Sequence, residues 1–581
     1  MNILLTAINA KYIHSNLAVY SLRACAGEYR DAVELAEYTI NNQKDYILEE
    51  LYKRKPDVLC FSCYIWNIDY VTDIAREYKK LCPSVPIWVG GPEVSYEVEA
   101  FLRENPYIDG VMIGEGEDTF RELCGYYAHK RKLSDIAGIA FRKNSTGNST
   151  SNRTSVNNAG CKADEIVFTS PRPIKNMSEI PFCYDTLDDF SNRIIYYESS
   201  RGCPFSCSYC LSSVDKTLRF RDTRIVKREL KFFIDQKVPQ IKFVDRTFNC
   251  NHAHAMELWR FIKANDNGVT NFHFEISADL LNQEELELIS DMRPGLIQLE
   301  IGVQSTNEVT IKEIHRTMKL ERLKEVVRLI QSGNNIHEHL DLIAGLPYED
   351  YDSFGRSFDE IYELKPNQLQ LGFLKVLKGS YMFEHAAEYG IVYHDKPPYE
   401  VMSTKWLSFD DVIKIKRVED MLEVYYNSGQ FEITMKLMEC IFDSAFEFFQ
   451  ELGDFYEANG YFGMSHSRIR RCEILLEFLA LYLHGCDNDA MTSVVLSEND
   501  GDRDNTDFDE NAQIYKMIQE SLIFDLYYRE NCKSRPVWAT DIGSFKHMTH
   551  AYCKNGKLSH VEPFHYIFPV SYTHLRAHET D

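Results

Sequence analysis

The chain is short of positive charge: 64 Lys and Arg stand against 88 Asp and Glu, for a net charge of −24. Such a balance argues against a general nucleic-acid-binding surface. No RNA-binding module is recognisable either, so a ribosomal or transfer-RNA modifying role is disfavoured. Long apolar runs are also lacking. The nearest to a membrane span, Ile474 to Leu483, is short, broken by Glu477, and reads as a buried helix. No basic-then-apolar leader opens the chain, and neither a GxGxxG fingerprint nor a Walker-type phosphate loop occurs. A disulfide framework is not expected from the sixteen cysteines, because several lie in strand-like runs such as Val58-Leu-Cys60-Phe-Ser-Cys63. These absences lead us to expect a soluble cytoplasmic protein with no membrane partner.

What is present is ample for packed cores: 581 residues, 44% hydrophobic and 13% aromatic, enough for three or four domains. Over residues 1–140, short apolar strands (Ile3–Ala7, Val33–Tyr38, Val58–Cys63, Ile87–Gly90, Gly110–Ile113) alternate with helical segments near 15–27, 43–54, 68–82 and 93–104 and from 117. This rhythm predicts an α/β domain with a doubly wound parallel sheet, whose ligands bind beyond the carboxyl ends of the strands. Those ends carry Ser62, Tyr64 and Trp66 after the third strand, Gly90-Gly91-Pro92-Glu93 after the fourth and Gly114-Glu115-Gly116-Glu117 after the fifth.

A second rhythm, with longer units, places strands at Ile194–Glu198, Gln240–Asp245, Asn271–Ser277, Leu296–Gln304, Glu338–Ala344 and Gln368–Lys375. It predicts a partial (β/α)6 barrel with its working residues at the carboxyl ends of the strands. Glu275, Glu300 and Asp341 interrupt these strands. A polar group there costs about 2–7 kcal/mol unless it is paired, by a ligand or by a neighbouring strand. Just after the first of the strands comes Cys203-Pro-Phe-Ser-Cys207-Ser-Tyr-Cys210, preceded by Glu198-Ser-Ser-Arg-Gly. Three thiols on one loop suit an iron–sulfur cube with one open iron, whereas a structural zinc takes four closed ligands. A zinc loop with a distant fourth ligand, or three unconnected thiols, are the alternatives.

The CxxxCxxC spacing, with Tyr209 before the last cysteine, resembles the signature of the radical S-adenosylmethionine (SAM) superfamily. The resemblance implies that Cys203, Cys207 and Cys210 hold a 4Fe–4S cluster. In that family the open iron chelates SAM, which is cleaved reductively to a 5′-deoxyadenosyl radical. The resemblance further places SAM against Tyr209, Asp245, Glu300, Gln304 and Gly345, and Glu275, a carboxylate inside an apolar strand at the barrel mouth, is read as a further SAM contact. Where the family often has GGE, this chain has Asp245-Arg246-Thr247. The GGPE and GEGE turns make the first domain similar to the cobalamin-binding domain of one radical SAM subgroup, with Ser62, Tyr64, Trp66, Gly90, Gly91, Gly114 and Gly116 as its cobalamin contacts. The cobalt-ligating DxHxxG motif is absent; the first loop offers His14, read either as a lower ligand or as a cap of the next helix.

The Ser/Thr/Asn-rich run at 144–160 reads as a flexible segment, and His252 and His254 read as surface or cap residues. After about residue 400 helices dominate: one opens at Ser408-Phe-Asp-Asp411 and closes at Asn427-Ser-Gly429, and others run near 433–457 and 466–484. The acidic stretch at 498–510 reads as a solvated loop. This region resembles the uncharacterised helical extension found in a subset of cobalamin-type radical SAM proteins. The last residues, 571–581, resemble a translated sequencing adaptor; if so, His574 and His578 are not ligands and the natural C-terminus is missing. The expected domains are 1–140, a linker at 141–190, a barrel at 191–395, a helical domain at 396–570 and a non-native tail at 571–581.

The pairing of cofactors implies methylation of an unactivated carbon or phosphorus in a small-molecule or peptide substrate, with a flavodoxin or ferredoxin as electron donor. The alternatives are a cobalamin-dependent rearrangement or cyclisation, and a non-catalytic cobalamin or redox sensor.

Overall fold

The computed structural model describes residues 1–143, 165–214, 216–484, 510–529, 535–539, 543, 562 and 564–566. The Ser/Thr/Asn-rich run, the acidic stretch up to residue 509 and the tail from 571 lie outside the described residues. Two compact units form: Met1–Asp350 with Gly372–Ser408, and Tyr351–Leu371 with the described residues from Phe409 onward.

The first sheet is built from β1 (Ile3–Asn9), β2 (Val33–Thr39), β3 (Val58–Ser62), β4 (Ile87–Gly90) and β5 (Gly110–Met112), parallel and in the order β2-β1-β3-β4-β5. Every residue of β1 and β3 is buried, the pattern of central strands covered on both faces. The covering helices are Leu17–Cys25, Lys44–Arg54, Ile68–Leu81, Val98–Glu104 and Glu117–Tyr127. The chain order reverses between β1 and β3, which opens a crevice at their carboxyl ends. Two strands that the alternation did not reveal, β6 (Ile139–Lys143) and β7 (Glu165–Phe168), extend the sheet in antiparallel fashion. They flank the polar run and pair antiparallel, so the βα rhythm gave no sign of them.

The barrel begins with β8 (Ile195–Tyr197). A short hairpin follows, β9 (Ser200–Arg201) against β10 (Arg219–Phe220), and the cysteine loop lies between its two strands. Then come β11 (Gln240–Phe243), β12 (Asn271–Ile276), β13 (Ile297–Gln304), β14 (His337–Ala344) and β15 (Gln368–Phe373), in the sheet order β8-β11-β12-β13-β14-β15. The pairings from β8 to β14 are parallel. Beyond β15, Leu374 N–H donates to Ala344 O (2.9 Å).

The second unit is helical: Tyr351–Tyr362, Phe409–Leu422, Glu432–Ile441, Ala445–Ala458, Arg468–His484 and Glu510–Arg529. Where one helix was expected near 433–457 there are two. Phe442 turns extended, and the Ser444 side chain caps the second helix by accepting from Glu447 N–H. Among the described residues no helix is long and apolar enough to cross a membrane.

Candidate active site

All three thiols of the CxxxCxxC loop line one cavity of about 190 Å³, which is walled by the carboxyl ends of the barrel strands. Cys203 Sγ lies 3.8 Å from Thr247 Oγ1, and Arg316 Nη1 lies 3.8 Å from Cys207 Sγ and 3.2 Å from Tyr209 Oη. Burial pushes the Cys207 thiol up, and the Arg316 guanidinium opposes it. Among the described residues no three His, Cys, Asp or Glu side chains form a ready metal-ion site. Three thiols lining one cavity are the donor set that suits a cube, in which each thiolate would take a different iron.

Of the residues expected around SAM, Tyr209, Glu275, Glu300 and Gln304 line this cavity. Gln304 ends β13 at a register shift against β14, with a left-handed φ of 77°. Gly302 makes room for it: a Cβ there would meet Gln304 Nε2 at 2.3 Å. The bulge re-aims the amide, and its Oε1 is buried without a protein partner. That orphaned acceptor is the feature a bound polar ligand would satisfy.

The two glutamates on the cavity wall differ in charge state. Burial drives Glu300 up, but the His273 hydrogen bond and the Lys242 ammonium, at 2.9 and 2.8 Å, outweigh it and hold the carboxyl at about 2. Glu275 has no such partners; burial raises it to about 7, with Arg246 opposing.

Asp245 and Gly345 do not line the cavity. The Asp245 carboxylate is fully buried and taken up by Ser199 N–H (2.9 Å), Ser199 Oγ (2.6 Å) and Ser200 Oγ (2.5 Å), so it fastens the strand that leads into the cysteine loop. Gly345, at φ 88°, packs on Val401, where a Cβ would sit 2.6 Å from Cγ1. Asn251, not a histidine, caps the helix after β11. His254 is buried, with Nε2 3.0 Å from Ser199 Oγ; His252 Nδ1 lies 3.0 Å from the Glu285 carboxylate. The reading of His254 as a surface or cap residue is thereby corrected. Arg246, Thr247 and Arg316 were missed as cavity residues. The first two sit in the stretch quoted for its departure from GGE, and Arg316 lies in a loop without a sequence signal.

A larger cavity, of about 520 Å³, opens at the crevice of the first sheet. Ser62, Tyr64, Gly90, Gly91, Gly114 and Gly116 line it. Gly114 adopts φ 73° with nothing within 4 Å of where a Cβ would stand, and bare backbone of this kind leaves room for the edge of a large ligand. At Gly91 (φ 122°) the glycine serves packing instead, since a Cβ would meet Cys63 O at 2.4 Å. Trp66 does not line the cavity. It stacks on Tyr64 at 4.4 Å and 7°, and its Nε1–H donates to Ile8 O (3.1 Å). His14 lies outside the cavity as well: its Nδ1 is 2.7 Å from Tyr196 Oη, and Asn16 caps the following helix in its place.

Residues 3–124 match the B12 binding domain family, residues 197–361 the Radical SAM superfamily, and residues 387–566 a protein family of unknown function, DUF4080. The first sheet thus carries a B12-binding domain match and the barrel a radical SAM domain match, in that order along the chain. The chain is 27% identical over 364 residues to TokK, a cobalamin-dependent radical SAM methyltransferase of Streptomyces tokunonensis, covering 58% of this chain and 49% of that one. It is 22% identical to the anaerobic magnesium-protoporphyrin IX monomethyl ester cyclase of Rubrivivax gelatinosus, covering 59% of this chain and 60% of that one. The chain spans about half the length of the curated relatives it matches. Among solved structures it shares its fold with the cobalamin-dependent SAM radical enzyme OxsB bound to aqua-cobalamin and SAM, with a TM-score of 0.57 and 15% identity over 91% of this chain and 80% of that one.

Proposed function

We propose that this protein is a radical SAM enzyme that uses a 4Fe–4S cluster, SAM and cobalamin to methylate an unactivated carbon or phosphorus of a small-molecule or peptide substrate. The observation that carries this reading is that the two cavities meet, with Ser212 and Arg246 lining both. A substrate at that junction is within reach of chemistry from either side. When bound, the cluster with SAM supplies a hydrogen-abstracting radical and cobalamin supplies a methyl group.

The chain's own residues hold and orient. Cys203, Cys207 and Cys210 bind the cluster. Tyr209, Gln304 and Glu275 face SAM, with Asp245 supporting the loop from below. The glycine turns at 90–91 and 114–116 admit cobalamin by its edge, and Leu5, Phe61 and Met112 give that cavity an apolar, water-excluding wall. The electron donor in this reading is a flavodoxin or ferredoxin of a reducing cytoplasm. The similarity to the Rubrivivax cyclase supports a second reading, radical cyclisation or rearrangement without methyl transfer.

The test is anaerobic cluster reconstitution followed by a dithionite-driven assay for 5′-deoxyadenosine with cobalamin supplied. We expect 5′-deoxyadenosine and co-eluting cobalamin; product mass then separates methylation from cyclisation. Intact protein that assembles no cluster would overturn the reading.

A further inference from the structure

The turn Gly114-Glu115-Gly116-Glu117 joins two features. All four of its residues line the cavity of the first sheet, and its carboxylates also reach the stem of the cysteine loop, whose Arg201 and Arg219 line that cavity too. That stem is the β9–β10 hairpin, in which Arg201 and Arg219 stand directly opposite each other. Opposed like charges on adjacent strands repel. Glu115 answers both of them: its Oε1 lies 2.7 Å from Arg219 Nη2 and 3.5 Å from Arg201 Nη1, and its other oxygen accepts from Lys175 N–H (3.3 Å). Glu117 adds a 2.5 Å contact to Arg201 Nη2, and Glu198, just ahead of the stem, takes Arg201 Nε at 2.9 Å. Arg201 is therefore enclosed by three carboxylates, two from the first domain, and it stands two residues before Cys203. All four groups are largely shielded from water, at 6–24% side-chain exposure, so salt does not screen them as it would a surface pair.

We infer that Glu115 and Glu117 are positioning residues for the cluster loop, and that through them cobalamin binding in the first domain and cluster binding by the three thiols are thermodynamically coupled. The inference rests on the cofactor reading proposed above. A ligand edge seated against Gly114 and Gly116 fixes the turn, and the turn fixes the hairpin that presents the cysteines. Linkage makes the effect reciprocal: the cluster must tighten cobalamin by the same factor that cobalamin tightens the cluster.

The experiment measures the dissociation constant of cobalamin, by anaerobic equilibrium dialysis, for the full chain with and without its reconstituted cluster. Wild-type protein is expected to bind cobalamin about 5–150-fold more tightly with the cluster, the usual range of such coupling. Glu115→Gln should bring that ratio close to one. Gly116→Ala, whose Cβ would press on Leu22 of the cavity wall at 2.9 Å, should weaken cobalamin in both forms and leave the ratio unchanged. A wild-type ratio of one, or an unaltered ratio in Glu115→Gln, overturns the coupling while leaving the cofactor reading intact. Failure to bind cobalamin in either form overturns both. Should Glu115→Gln not fold, the wild-type ratio alone decides, with Glu115→Asp as the second variant.

Discussion

The two cavities solve the problem of holding a cofactor in opposite ways. The cavity of the first sheet is shaped by missing side chains: glycines at 90, 91, 114 and 116 bare the backbone. The thiol cavity is shaped by charged and polar side chains on successive strands, Glu275, Glu300 and Gln304 among them, with a bulge turning the last one inward. Where bare backbone lines a site, an added atom is what matters most. A side-chain-lined site tolerates a change of size better than the loss of a partner.

The largest effect should come from the thiols. Cys207→Ala should abolish cluster assembly and 5′-deoxyadenosine formation altogether, read as iron content and product, while leaving cobalamin retention measurable; full retention of the cluster would contradict the assignment. Gly91→Ala tests the backbone-lined side. Its Cβ would press on Cys63 O, so we expect a loss of about 3 kcal/mol in urea unfolding of the cofactor-free protein, from overpacking and a left-handed φ together.

Glu275→Gln probes the charged side through pH. The folded carboxyl sits at about 7 because burial raises it, above an unfolded value of about 4.3. The folded state therefore binds the extra proton, and its stability falls as pH rises from roughly 4.5 to 7. The variant removes that fall: at pH 8 it should exceed wild type by about 1–3 kcal/mol, a gap that closes below pH 4.5. An advantage that persists at pH 4 would break the account. The smallest effect belongs outside both cavities. Trp66→Phe keeps an aromatic ring beside Tyr64 but loses the hydrogen bond to Ile8 O and part of the stacked ring, so stability should drop by about 1 kcal/mol with cobalamin affinity unchanged.

The strand positions were legible in the sequence because buried parallel strands write themselves as unbroken apolar runs, as in β1 and β3. The cysteine loop was legible because its chemistry fixes residue type and spacing. Side-chain direction was harder to read. Asp245 ends its strand as a ligand-facing carboxylate would, yet two serines capture it from behind. Glu300 seemed to need a ligand and is satisfied by Lys242 and His273 on the two preceding strands of the sheet. His14 and Trp66 were placed near a cofactor by their loops, but Tyr196 and Ile8, remote in sequence, decide where they rest. Partners that converge only through tertiary folding leave no local pattern.

The β9–β10 hairpin closes the loop that carries all three cysteines. Pairing the ends of that loop offsets the roughly 2–3 kcal/mol of closure entropy that an open segment of this length would lose when its thiols are brought together. The stem therefore ties the three thiols to one support, and a change that opens it should act on all three together rather than on one.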